Sequence, residues 1–144
     1  MGNTGLDVFD TTIEKTNLIL RDIEKELDWE GRRNQSYQAL RVVLHAVRDR
    51  LPLDSAVHLG SQSPILLKGV FYDGWRPDDK PIKMHREEFL MYVGNEFKLD
   101  TKIGLEEVIK TVFNILINHL DPSEGQKILA NMPKDLIGLL CKTI

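Results

Sequence analysis

One cysteine, Cys141, stands among 144 residues. That excludes an intrachain disulfide and a thiolate cluster for zinc or iron–sulfur chemistry, and it predicts a reducing compartment. Membrane signals are lacking as well. No apolar run approaches the roughly 18 residues of a spanning helix, and Met1 to Leu6 contain no basic stretch leading into an apolar one. Leu6 also stands where a myristoylation signal has Ser or Thr. The expectation is a cytoplasmic protein with no membrane partner. An excess of either charge is missing too: 19 basic and 22 acidic side chains leave a formal charge of −3. A surface that tracks phosphates needs a basic excess, so nucleic acid is not an expected partner.

Catalytic signatures are equally scarce. There is no Gly-x-Ser-x-Gly elbow, no Walker or dinucleotide loop and no His-Glu-x-x-His. The reading therefore assigns no catalytic residue, metal ligand or cofactor and leans away from an enzyme. With 42% hydrophobic and 28% charged residues, the chain suits one domain over residues 1–144 with a hydrophobic core.

The apolar spacing is helical throughout. Thr11 and Glu14 have the separation of a capping box, with Val8 and Phe9 before it as a staple, and Ile13, Thr16, Leu20, Ile23 and Leu27 follow on one face. Tyr37, Leu40, Leu44, Val47 and Leu51 mark a second helix, over Arg33 to Arg50, that Pro52 ends. Two short helices follow, one capped by Asp54 and one by Ser63 ahead of Pro64 and running from Ile65 to about Phe71. Residues 73–83 hold one glycine, two prolines and six charges and read as a linker. Beyond it Phe89, Val93 and Phe97 mark a helix, residues 98–103 a loop and Leu105 to Leu120 a strongly apolar helix. Cap-and-proline signals recur at Asp121-Pro122 and near Met132-Pro133.

Moving residues 37–71 onto 106–140, a constant shift of 69, superposes Leu40 on Ile109, Val47 on Leu116, Leu51 on Leu120, Pro64 on Pro133 and Gly69 on Gly138. The fold class expected is all-α: a tandem duplication of a four-helix unit, two long and two short, packed as one bundle, with repeats at about 8–72 and 84–141.

The string from Tyr37 to Leu51, followed by Gly69-Val-Phe-Tyr-Asp-Gly-Trp75, resembles the prokaryotic family catalogued as domain of unknown function 2267. The resemblance covers nearly the whole chain, although Ser61-Gln-Ser-Pro64 departs from the Leu-Pro expected there. It implies a bacterial or archaeal, mainly helical, cytosolic protein, and it implies no chemistry.

One set of side chains stands out as a candidate site. Residues 31–86 carry ten basic and five acidic side chains, the only basic stretch. Within it Arg41, His45 and Arg48 recur at four- and three-residue steps on the polar side of the second helix. Such a row suits a phosphate or carboxylate, read by guanidinium forks; the plainer alternative is a solvated or intramolecular face, with Asp22 or Glu26 of the first helix as partners. His45 and Asp49 also have the spacing of an oriented general base. His58, His85 and His119 are scattered over other segments. Phe71, Tyr72 and Trp75, beside Arg76, Lys80, Lys83 and Arg86, suit either base stacking or a lid on the core. The expected function is a helical module that binds a protein partner or itself through a groove between the repeats, with anionic-ligand or nucleic-acid binding at Arg41, His45 and Arg48 as the alternative.

Overall fold

A computed structural model describes residues 3–98 and 104–141. Eight α-helices follow one another: α1 (Asp7–Glu26), α2 (Arg33–Arg50), α3 (Leu53–Ser61), α4 (Ile65–Tyr72), α5 (Arg86–Glu96), α6 (Leu105–Asn118), α7 (Pro122–Ala130) and α8 (Lys134–Leu140), with a single 3-10 turn at Pro77–Asp79. No strand occurs among the described residues. The architecture is an all-α bundle, as the spacing predicts. None of the helices is long and apolar enough to cross a membrane.

Helices α2 and α6 form the centre. Leu40, Val43, Ala46 and Val47 of α2 and Val108, Ile109, Val112 and Phe113 of α6 are all buried, and α6 packs against α1, α2, α7 and α8. Each fully buried Leu, Val or Ile stabilises the fold by about 1.5–3 kcal/mol, so this seam dominates the packing energy. Around it Leu67, Phe71, Phe89, Leu136 and Leu139 continue one apolar cluster. Residues 98–103 were expected to form a loop; 99–103 of these lie outside the described residues.

Several ends differ from expectation. Helix α1 begins at Asp7, not near Thr11: the Thr4 amide and hydroxyl bind the Asp10 carboxylate at 3.1 and 2.7 Å, and the Leu6 carbonyl already accepts from Phe9 and Asp10. Thr11 is thus inside the helix, and Val8 and Phe9 are helical residues, not a staple before it. Ser63 does not cap α4; its hydroxyl donates to the Leu59 carbonyl at 3.1 Å and closes α3, and Pro64 stands at the α4 N-cap. Pro52 holds the corresponding place before α3, so Asp54 lies in the first turn. Asp121 does cap α7, accepting the Ser123 amide at 3.0 Å, with Pro122 at the first helical position.

The turn between α1 and α2 carries a core residue. Asp28 and Gly31 take left-handed backbones, with φ of 58° and 83°, which reverses the chain and turns Trp29 inward to full burial. Its ring meets Phe97 at a centroid distance of 6.4 Å. Glu24 and Arg33 secure the same corner through two hydrogen bonds of 2.6 and 3.2 Å, and Arg33 also reaches Asn17 at 3.0 Å.

Helices α3 and α7 start 69 residues apart, as do α4 and α8. The long helices are unequal, with 20 residues in α1 against 11 in α5.

Candidate functional site

Arg41, His45 and Arg48 converge, and what they converge on is the end of α4. The last carbonyls of a helix have no amide partner within it and favour nearby positive charge. Arg48 donates from Nη1 to the carbonyls of Phe71 and Asp73, at 2.8 and 3.0 Å. His45 donates from Nε2 to the Val70 carbonyl at 2.7 Å. Arg41 pairs through Nη2 with the Asp73 carboxylate at 2.8 Å. Together the three side chains cap α4 from outside, while Gly74, at φ 75°, turns the chain away.

Their surroundings set their charge states. Arg48 is buried, at 4% exposure, and its Nε and Nη2 bind both carboxylate oxygens of Asp49 at 2.8 and 3.2 Å. All three guanidinium nitrogens are therefore engaged within the protein. Burial, then the neighbouring charges of Arg48 and Arg41, push the His45 imidazole below its usual value, against the pull of the Val70 carbonyl. The neutral ring with its proton on Nε2 fits that balance. Nδ1 then accepts from Arg41 at 3.5 Å. Arg41 keeps about a third of its side chain exposed, at 32%.

The partners differ from those expected. Asp49 and Asp73 supply the carboxylates, and Asp22 of α1 pairs instead with His119 at 2.7 Å. The row faces α4 because α2 and α4 pack together, whereas the Glu24–Arg33 pair holds α1 to the first turn of α2. Asp49 is turned to Arg48 and to Tyr92, a residue of α5 that the sequence reading passed over, and not to His45. Burial first, and then the Asp49 carboxylate that its hydroxyl binds, pushes the Tyr92 phenol well above its ordinary value. The Asp49 carbonyl also accepts the Ile82 amide at 2.7 Å, and Arg50 donates to the Met84 carbonyl at 3.0 Å. The end of α2 thereby binds α4, α5 and the linker in one network.

The other candidates separate. His58 pairs with Glu124 at 2.8 Å, His85 with Asp135 at 3.2 Å and His119 with Asp22, each in a different place. Among the described residues no three His, Cys, Asp or Glu side chains gather where they would hold a metal ion. His85 caps α5 in a reciprocal box with Glu88, a His-x-x-Glu spacing visible in the sequence but not used. Phe71 is buried edge-on to Tyr72, at a centroid distance of 5.1 Å, and Trp75 lies 5.3 Å beyond. These rings cover the core, and the Tyr72 hydroxyl donates to the Val57 carbonyl at 3.2 Å.

Two further surfaces stand out. Between α3 and α7 a cleft is lined by Asp54, Ser55, His58, Glu124, Lys127 and Asn131; His58 and Lys127 both meet Glu124, which is buried at 2% exposure. The second is apolar. Phe9 continues the stripe of Thr16, Leu20, Ile23 and Leu27, at helical steps of about seven, four, three and four residues, yet those four are buried and Phe9 is 50% exposed. Leu6, Val8, Ile13 and Leu18 are exposed on the same segment. Ile65 and Leu66 lie beside it, the Leu66 amide bound to the Thr12 hydroxyl at 2.8 Å. The start of α1 thus carries a core-type stripe beyond the core it was built for.

No curated protein matches the chain. The family model described as an uncharacterised conserved protein, DUF2267, matches residues 16–139, which take in the α2 clamp, the linker and the α3–α7 cleft. The chain belongs to the DUF2267 family.

Proposed function

We propose that the protein is a helical interaction module whose docking element is α1. One observation carries this reading: the apolar stripe of α1 runs on past the core, so that Leu6, Val8, Phe9 and Ile13, with Ile65 and Leu66 of α4 alongside, stand at the surface. Contiguous exposed apolar groups favour burial against another chain. The α3–α7 cleft offers less to such a partner, because His58 and Lys127 are already paired with its buried Glu124. The same reading takes α1–α4 and α5–α8 as diverged copies of one unit, on the support of helix starts that recur 69 residues apart. Only the first copy keeps a long leading helix to present.

The experiment is a comparison of the wild type with a Phe9→Lys/Ile65→Lys variant by light scattering after gel filtration and by affinity capture. Both positions are exposed, so the fold should persist, as circular dichroism will check. The expected outcome is capture of another chain by the wild type that the variant loses, whatever either does with its own copies. A wild type that captures nothing, or a variant that captures it unchanged, contradicts the docking role of the stripe.

A further inference from the structure

We infer that α1 carries a second surface, on the side turned away from the Phe9 stripe, on which another copy of α1 lies antiparallel to the first; this goes beyond the docking role given to the stripe. The argument comes from the order of charges on its outward face. Asp10, Glu14, Arg21 and Lys25 fall within about 60° of one another at 100° per residue, with Asn17 and Leu18 at the middle of the row. Glu14, Leu18, Arg21 and Lys25 are exposed and Asp10 is partly so, whereas Thr12, Thr16, Ile19, Leu20 and Ile23 point into the bundle. From Asp10 the row reads acid, acid, leucine, base, base, with Asp7, exposed at the same azimuth, one turn beyond its end.

Such a row is complementary to itself when reversed. Asp10 and Lys25 lie equally far from a point between Asn17 and Leu18, and so do Glu14 and Arg21. A two-fold axis through that point sets Asp10 level with Lys25 of the second copy and Glu14 level with Arg21, each pairing occurring twice. Leu18, 42% exposed, then meets its own copy near the axis, with Ile13 at the edge. Among the described residues Glu14, Arg21 and Lys25 make no ion pair within the chain, so these charges remain available. Asp10 accepts both Thr4 bonds on Oδ1, and a carboxylate has further lone pairs for a lysine. Asn3 and Thr4 border a hollow on the same face, together with Glu14, Leu18 and Arg21.

The helix dipole does not account for the pattern. It favours acids in the first turn and bases in the last and fades within a turn, which explains Asp10 and Lys25 but not Glu14 and Arg21, in the interior of α1. Exposed ion pairs are individually weak, so the dimer forms reversibly and loosens as salt screens it.

Sedimentation velocity on the full chain, at low and at high salt, tests this with three variants. Glu14→Arg alone, or Arg21→Glu alone, sets like charges opposite each other and is expected to weaken the dimer about tenfold or more. The Glu14→Arg/Arg21→Glu double variant restores opposite charges and the dimer, and an equimolar mixture of the two single variants forms a heterodimer. Single variants that dimerise like the wild type, or a double variant that does not recover, overturn the antiparallel pairing. A wild type that stays monomeric yet captures a different chain through Phe9 and Ile65 overturns the second copy as partner but leaves α1 as the docking element. Loss of both overturns both.

Discussion

The Arg48 guanidinium lies between Asp49 and Phe71: it binds both carboxylate oxygens of the first and, at 2.8 Å, the backbone carbonyl of the second. The pairing joins the end of α2 to the end of α4 in a place closed to water. An arginine held this way fixes where α4 stops and, through Asp49 and Tyr92, where α5 sits.

Removing that guanidinium leaves a buried carboxylate without its cation and the Phe71 and Asp73 carbonyls without a donor. Arg48→Ala is therefore expected to cost about 3–5 kcal/mol, read from urea denaturation. Arg48→Lys recovers little, because a single ammonium cannot match the bidentate fork and the carbonyls together. A loss below about 1 kcal/mol, the range of a surface pair, contradicts the clamp.

Tyr92→Phe deletes one donor to Asp49 and keeps the ring. Hydrogen bonds to charged groups contribute about 1.5–3 kcal/mol, so the variant is expected to lose an amount in that range. A double-mutant cycle with Asp49→Asn separates the bond from packing. Additive losses show that the hydroxyl and the carboxylate do not interact.

Two glycines in neighbouring helices are expected to respond in opposite directions to alanine. A Cβ at Gly60 overlaps the Tyr72 ring, which is held by its bond to the Val57 carbonyl and by Trp75. Gly60→Ala is expected to destabilise by about 1–3 kcal/mol. At Gly69 a Cβ meets nothing within 4 Å, and the position is exposed, so Gly69→Ala gains up to about 1 kcal/mol from helix propensity. Thermal melts of the two variants give the signs directly.

His45 links stability to pH. Its folded value lies below the ordinary 6.5, through burial and then the Arg48 and Arg41 charges, with Asp49 opposing. Between the folded value and 6.5 the unfolded chain binds more protons than the native one, so acid favours unfolding there. The contribution is fully present above 6.5 and is lost as the pH falls through the folded value. His45→Gln keeps a donor for the Val70 carbonyl but cannot titrate. The stability of the wild type relative to this variant should shrink on going from pH 7.5 to about 5; a difference independent of pH contradicts the assignment.

Much of this was legible in the chain and some was not, for identifiable reasons. Apolar spacing and Pro52 place α2 at 33–50, where the structure has it. The start of α1 was missed because Thr11 and Glu14 satisfy a local rule, whereas a tether from Thr4 to Asp10 starts the helix earlier. Four- and three-residue steps bring Arg41, His45 and Arg48 to one face, but spacing along one helix says nothing of what lies opposite, and here that is α4. The neutralising partner of Arg48 is the next residue, a pairing that helix geometry alone disfavours, so spacing points to α1 for a partner instead. Tyr92 and Trp29 enter through contacts distant in sequence, which no periodicity reports.

The pairing of α1 with a second copy of itself is tested most directly by the backbone amide NMR spectrum of the full chain followed over a dilution series at low salt. The account predicts concentration-dependent shifts concentrated in residues 7–26, strongest from Asp10 to Lys25 about Leu18, while the amides around Arg41, His45 and Arg48 stay unchanged. Shifts centred on the α3–α7 cleft or on the α2 clamp, or a spectrum that does not change with concentration, would contradict it.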